Sequence, residues 1–389
     1  MLKIGQAEID AVSRVIKSGN MFRYHRTSQC ERFETRYARD LKIKYVHMTA
    51  SGTCALTAAL VGLEIGPGCE VLVPAHTYMA SAVAVLATGA IPVIVDVDES
   101  LTLDPDAAAD AVGPRTKAIM PVHMWGLPCD MDRIMRLARK HDLKVMEDAC
   151  QGVGGSYKGK KLGSFGHANA FSFNYFKNMT SGEGGAVVSN NARVMKRAHC
   201  AIDCTLYYWK GRDSSLQPFA FSGARATEIS GAIMNVQLGR LPGMIRACRA
   251  EKKKILKATA GTGLTSITNH SLSHECGTKI GYLLPTAKQA ETFRQIAGGT
   301  IAGNTGRHVF TEWDQVLSQN GGPSRGMNPY KFKLNQRCRR RVRQSDYRRS
   351  LDILSRTVLI GTHPEHTTSQ IDAQIRKHKK AAKAAGVTA

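Results

Sequence analysis

The sequence lacks several features that would place it in a class outright. None of its 10 cysteines forms a Cys-x-x-Cys pair, and their spacing is irregular. That pattern argues for reduced, cytosolic thiols. Cys30, Cys54, Cys150 and Cys248 fall within or beside apolar patterns. No apolar run approaches the roughly 18 residues of a membrane span. No basic-then-apolar segment opens the chain as a signal peptide would. A soluble, cytoplasmic protein is expected, with no membrane partner and no metal site. There is no internal repeat, and no low-complexity block beyond the Lys/Ala tail at 375–386. Acidic residues are scarce, 31 against 54 lysines and arginines, which leaves a formal net charge of +23. Such a field attracts anions: phosphorylated or carboxylate-bearing substrates, nucleotides, nucleic acid or an acidic membrane surface. The densest basic run, "NQRCRRRVRQSDYRR" (335–349), has one tyrosine and no aromatic interleaving of the kind that stacks bases. It reads as a solvated helix or loop. With no helix-turn-helix signature either, nucleic acid is not an expected partner.

What is present is an ordinary globular composition, 43 % hydrophobic and 22 % charged over 389 residues. That length suits two or three domains. From about residue 45 to 190, short apolar runs alternate with longer amphipathic stretches. "EVLVPA" (70–75), "IPVIVDV" (91–97), "KAIMPVHM" (117–124) and "LKVMEDAC" (143–150) read as buried strands. "TCALTAALVGL" (53–63), "YMASAVAVLATG" (78–89) and "CDMDRIMRLARKH" (129–141) read as helices. The alternation predicts an α/β fold with a mostly parallel sheet covered on both faces. Ligands of such sheets bind beyond the carboxyl ends of the strands. A long helical pattern at 225–258 bridges to a second region, its later part basic and solvent-facing. "KIGYLLPTAKQAETFRQIAGGTIAG" (279–303) then reads strand, turn, helix, strand. The expected division is a large domain at 1–245 and a smaller C-terminal α/β domain at 246–389.

Three segments at strand ends carry chemistry. "TASGTCAL" (49–56) sets a small-residue turn directly before a helix. Free N–H groups there favour a phosphate, although Ser-Gly-Thr is equally an ordinary N-cap. "VMEDACQ" (145–151) ends a buried strand with Glu147 and Asp148. A carboxylate there needs a partner, either a salt bridge or cap, or a ligand's cationic group. "FSFNYFKNMTSGEGG" (171–185) places Lys177 after an aromatic-rich strand and before a glycine cluster. A partly desolvated lysine attacks carbonyls and forms Schiff bases. A phosphate cradle, a carboxylate for a pyridinium nitrogen and a lysine for an aldehyde together make a pyridoxal 5'-phosphate site. Tyr78, in "PAHTYMAS" (74–81), offers an aromatic face for the ring.

At these residues the chain resembles the DegT/DnrJ/StrS family of pyridoxal-phosphate-dependent sugar aminotransferases, of the aspartate aminotransferase fold type I. The likeness runs through "ERFETRYARDL", "MTASGTCALTAALVGLEIGPGCEVLVPAHTYMASAVAVLATGAIPVIVDVD", "PRTKAIMPVHMWGLPCDMDRI", "VMEDACQGVGGSYKGKKLGSFG" and "FSFNYFKNMTSGEGGAVVSNN". It thins after about residue 260. The resemblance implies a sheet of the family's seven-stranded type and a homodimer with its site at the subunit boundary. It implies that Lys177 carries the cofactor and later shuttles a proton between the donor's Cα and the cofactor's C4′. Asp148 would hold the pyridine nitrogen protonated, and Gln151 would lie near the phenolic oxygen. Gly52, Thr53 and Ser172 would bind the phosphate, and Tyr78 would stack on the ring. The implied reaction takes an amino group from an amino acid, usually glutamate, to a keto- or aldehydo-sugar. Members with histidine in place of the lysine are dehydratases, so Lys177 argues for transamination. A regulatory or degenerate protein on the same scaffold is the rival from another class.

The sequence departs from the family pattern at three points. In "SGARATE" (222–228) Arg225 matches the arginine of Gly-x-Asn-x-Arg, but Gly223 stands where an asparagine reaches across the dimer to the phosphate. His167 replaces a common aspartate, and Arg26 a common glycine. The basic balance fits an anionic acceptor, either a nucleotide-linked sugar or an octulosonate-type sugar acid. His25, His76, His123, Trp125 and Arg225 are the candidate substrate residues.

Overall fold

A computed structural model describes residues 4–211 and 215–387. Helices α1 (Gln6–Ser18) and α2 (Gln29–Leu41) lead into β1 (Tyr45–Thr49) and α3 (Gly52–Gly62). Then β2 (Glu70–Pro74), α4 (Ala80–Ala87), β3 (Ile91–Val95), α5 (Pro105–Asp110), β4 (Thr116–Ile119), α6 (Met131–Lys140) and β5 (Lys144–Asp148) alternate. A hairpin of β6 (Ser156–Tyr157) and β7 (Lys160–Lys161) precedes β8 (Ala168–Ser172) and β9 (Gly185–Ser189). Helices α7 (Ala192–Ile202), α8 (Leu206–Lys210) and α9 (Glu228–Thr259) follow.

Among the described residues, β1-β9-β8-β5-β4-β2-β3 form one seven-stranded sheet in that order. Only β9 runs against its neighbours, pairing antiparallel with β1 and β8, while β8, β5, β4, β2 and β3 pair parallel. The expected α/β fold and mostly parallel sheet are therefore present. Strands β2, β3, β8 and β9 are buried along their whole length, which explains their unbroken apolar text. Helix α3 is apolar almost all round because it packs against both the sheet and α7. The strand expected over 117–124 stops at Ile119. Pro121 has no N–H to give the ladder, and a tight turn at Met124–Gly126 takes over.

The second region adds β10 (Thr265–Ser266), β11 (Lys279–Leu283), α10 (Ala287–Ala297), β12 (Thr300–Ile301), α11 (Asp314–Leu317), α12 (Arg348–Arg356), β13 (Thr357–Gly361) and α13 (Thr368–Ala384). Its antiparallel sheet, in the order β10-β11-β13-β12, packs Ile280, Tyr282, Val358 and Ile360 against Phe293, Ala381 and Ile255. Helix α9 crosses residues 245 and 246 without a break. Its later half is not solvent-facing throughout, as the basic text suggested. Ile245, Cys248, Lys252 and Ile255 form a buried stripe at helical spacing, and Lys252 pairs with Glu275.

Residues from β12 into the first turn of α12 return to the first sheet. Phe310 N–H donates to the Ala75 carbonyl at 3.0 Å and Asn335 Nδ2 to the Gly89 carbonyl at 2.8 Å. The Ser350 hydroxyl accepts the Val97 N–H at 2.9 Å. The basic run lies on this returning segment. Most of it is exposed, anchored by Arg339 to Glu70 and by Arg349 to Asp104. All ten cysteines are unpaired. Among the described residues no helix is long and apolar enough to cross a membrane, and no cluster of side chains could hold a metal ion.

Candidate active site

Strand β5 delivers two carboxylates at its carboxyl end. Successive strand residues point to opposite faces, so Glu147 and Asp148 part company. Glu147 is fully buried and saturated. It accepts hydrogen bonds from His123 Nε2 (2.8 Å), Gly163 N (2.5 Å), Phe165 N (2.7 Å) and Gly166 N (3.0 Å). His123 Nδ1 in turn accepts the Cys129 N–H at 3.2 Å. Both nitrogens of this buried ring are engaged, so His123 offers no ring nitrogen to a substrate. It braces the 163–166 turn instead.

Asp148 is held differently. Its Oδ2 accepts the Ser81 hydroxyl at 2.7 Å and its Oδ1 the Cys150 N–H at 3.0 Å. Ser81 is fixed by Thr77, 2.7 Å away. No cation among the described residues pairs with Asp148. Its direct hydrogen-bond donors are both neutral, so no ion pair holds it. The neighbouring Cys150 thiol has its pKa raised by burial and then by Asp148, while the charge of Lys177 works the other way. Lys177 thus acts on the groups around Asp148. It lies in a turn, its N–H donating to the Asn174 carbonyl at 3.0 Å.

The turn before α3 meets the ends of β8 and β9. A Cβ on Gly52 would stand 2.6 Å from Ser172 Cβ, and one on Gly185 would stand 2.5 Å from the Ser51 carbonyl oxygen. Glycine at both positions is a packing requirement. Ser51 caps the helix by accepting the Cys54 N–H at 3.1 Å. The Gly52 and Thr53 amides ahead of it have no acceptor among the described residues, and Thr53 is exposed. Gly52, Thr53 and Ser172 are therefore brought together at a helix N-terminus whose first amides have no acceptor among the described residues.

Beside Asp148, Gln151 Oε1 accepts the Trp125 N–H at 3.1 Å. The Trp125 ring lies 4.8 Å from His308 and 6.4 Å from His76. His76 is fully buried, with Nδ1 3.1 Å from the Leu101 carbonyl and Nε2 without a partner. Burial lowers its pKa to about 4. Tyr78, 37 % exposed, has His308 at 5.4 Å and the Arg307 guanidinium at 5.8 Å, leaving much of the ring open. His308 was not anticipated. Its pKa is lowered first by burial, against a hydrogen bond to Thr305, and further by the charges of Lys177, Arg307 and Lys279. Sequence carries no local signal for His308, because it enters on the segment that returns from β12 to the first sheet. Ser81 lies three residues after Tyr78, in the first turn of α4, and its N–H donates to the Tyr78 carbonyl at 3.0 Å.

Other candidates lie elsewhere. His25 is exposed and bonds within its own turn to Thr27 at 3.2 Å. Arg225 bridges Thr49 through its backbone, beside the Gly52 turn, and its side chain reaches Asp203 at 3.4 Å. Gly223 is exposed, with nothing within 4 Å of where a Cβ would be. His167 Nδ1 accepts the Val145 N–H at 2.9 Å, at the amino ends of β5 and β8, so this departure is remote from the chemistry. Arg26 is exposed.

The DegT/DnrJ/EryC1/StrS aminotransferase family model matches residues 2–292. The chain belongs to this family. It is 38 % identical over 265 residues to dTDP-3-amino-3,4,6-trideoxy-alpha-D-glucose transaminase of Streptomyces venezuelae, covering 67 % of this chain and 68 % of the relative. It is 42 % identical over 214 residues to GDP-perosamine synthase of Caulobacter vibrioides, covering 54 % of this chain and 56 % of the relative. The chain thus spans little more than half the length of this second relative. Among solved structures, DesV of S. venezuelae in complex with a ketimine intermediate superposes with a TM-score of 0.75 at 28 % identity, covering 97 % of this chain and 94 % of that one.

The family's cofactor is pyridoxal 5'-phosphate, and the residues present fit it. Asp148, held by neutral donors, would meet the pyridine nitrogen, the Gly52–Thr53 amides would seat the phosphate, and Lys177 would supply the amine. The expected membership, fold and cofactor stand.

Proposed function

We propose that the chain transfers an amino group from an amino acid, L-glutamate being the expected donor, to a keto- or aldehydo-sugar linked to a nucleotide or bearing its own acid group. The observation that carries this reading is the set of neutral donors on buried Asp148, at the same sheet end as Lys177 and the open amides of α3. The bound cofactor would supply an electron sink for the carbon next to the migrating amine. The protein's own groups set up the rest. Ser81 and the Cys150 amide aim Asp148 at the cation it must keep protonated. Gln151, tied to the Trp125 backbone, closes that side. Lys177 accepts a proton from the donor carbon and returns it to the carbon next to the cofactor ring. Tyr78 and Trp125 present flat faces to the cofactor ring and to a sugar. Lysine at 177 favours aminotransfer over dehydration, because its amine takes the cofactor back when product leaves.

A homodimer belongs to the same proposal. Phe22, Phe176, Tyr208, Trp209 and Phe221 are exposed large apolar side chains, and Phe22 and Trp209 pack edge to face at 4.9 Å beside Arg225. Apolar surface of this kind marks an interface. The cytoplasm is the proposed location.

The test is the visible spectrum of the protein with added pyridoxal phosphate, before and after glutamate, against Lys177→Ala. A Lys177-dependent band that bleaches with glutamate is expected. Its absence in the wild-type protein would sink the aminotransferase reading.

A further inference from the structure

Lys279 opens β11 on the small-domain side of the site. It is half-buried, and its Nζ lies 5.3 Å from the centroid of the Trp125 ring. No carboxylate pairs with it among the described residues, and burial alone lowers its pKa. Arg307, exposed over Tyr78, likewise has no carboxylate partner among them. The protein treats its other buried cations differently. Lys252 has Glu275 and Arg23 has Glu34, each a close ion pair. A half-buried cation left without a counter-charge is unfavourable in the free protein and favours a ligand that brings one. Between the two cations stand the rings of Trp125, His308 and Tyr78. Trp125 Nε1 is buried without a hydrogen-bond acceptor.

We propose that Lys279 and Arg307 form an oxyanion-reading wall that selects the acceptor sugar by its acidic group. This rests on the aminotransferase reading above and adds the residues that set its specificity. The acidic group is the carboxylate of a sugar acid or the phosphate of a nucleotide-linked sugar, since a lysine and an arginine bind either. The sugar ring would lie against Trp125, which places its charge at the rim and its carbonyl inward, toward Lys177.

The test uses the full-length protein and titrates it calorimetrically with UDP, glucuronate and glucose. At least one of the two anions is expected to bind, with glucose much weaker. Lys279→Met and Arg307→Gln should each weaken the anion about tenfold, as expected for loss of a charge-assisted contact, and Lys279→Arg should restore most of it. Loss confined to UDP assigns a phosphate, and loss confined to glucuronate a carboxylate. If Lys279→Met does not fold, Lys279→Gln replaces it. Both anions holding within twofold in the variants, or glucose binding as well as they do, would overturn the inference. So would a rate of glutamate bleaching that falls as far as anion affinity, because the cations would then serve the donor. The spectrum separates the two levels. A wild-type band that bleaches with glutamate, together with unchanged anion preference in the variants, sinks only this inference. A missing band sinks the reading beneath it.

Discussion

The two faces of the sheet at the end of β5 hold adjacent carboxylates in opposite states. On one face Glu147 accepts from three backbone amides and the buried His123, and the whole assembly is closed. On the other, Asp148 accepts from one hydroxyl and one amide and meets no protein cation among the described residues. Both groups are buried, so burial does not separate them. Saturation does. A carboxylate whose lone pairs are filled by fixed donors holds the fold together. One held by two neutral donors is positioned and remains available to a ligand cation. The histidines follow the same division. His123 has both nitrogens engaged, whereas His76, beside the open site, has Nε2 unpartnered.

The largest expected effect comes from the open face. Lys177→Ala should lower turnover on the order of 10⁴-fold, with the melting temperature little changed, measured by single-turnover absorbance and calorimetry. Asp148→Asn should lower turnover about 10²-fold or more and leave stability little changed, because no ion pair is broken. Glu147→Gln should do the reverse. We expect it to lose about 3 kcal/mol of stability while the folded fraction keeps its turnover within a few fold. Denaturant unfolding beside activity resolves the pair, and equal behaviour of the two variants would break the comparison.

A smaller effect is pH-dependent. The unfolded His76 imidazole protonates near 6.5, whereas in the folded protein burial holds it neutral down to about 4. Between those values the unfolded state binds more protons, so stability falls as pH falls, by about 1.4 kcal/mol per unit from this group. His76→Leu should give a shallower decline of melting temperature from pH 6.5 to 4. The smallest effect concerns the cofactor's phosphate. Gly223→Asn enters open space and should tighten pyridoxal phosphate about fivefold, the value of one added hydrogen bond. Equilibrium dialysis measures it.

Much of the sheet was legible because its strands are buried on both sides and written as unbroken apolar runs. The placement of the candidate residues was legible too, since Gly52, Asp148, Ser172 and Lys177 each follow, precede or end such a run. What escaped were side chains delivered from far away in the sequence. His308, Arg307 and Lys279 belong to segments whose local patterns say only loop or strand edge. The two histidines His76 and His123 look alike in the text, yet one sits beside the open site and the other is locked to Glu147.

The sequence alone determined the alternation of strands and helices, the family and the cofactor chemistry, because those depend on periodicity and on residue types at fixed local spacing. Only the tertiary structure decided which of Glu147 and Asp148 is free to act, and which cations stand without partners. Those outcomes depend on hydrogen-bond donors and charges that arrive from separate segments, and no local pattern records where they converge.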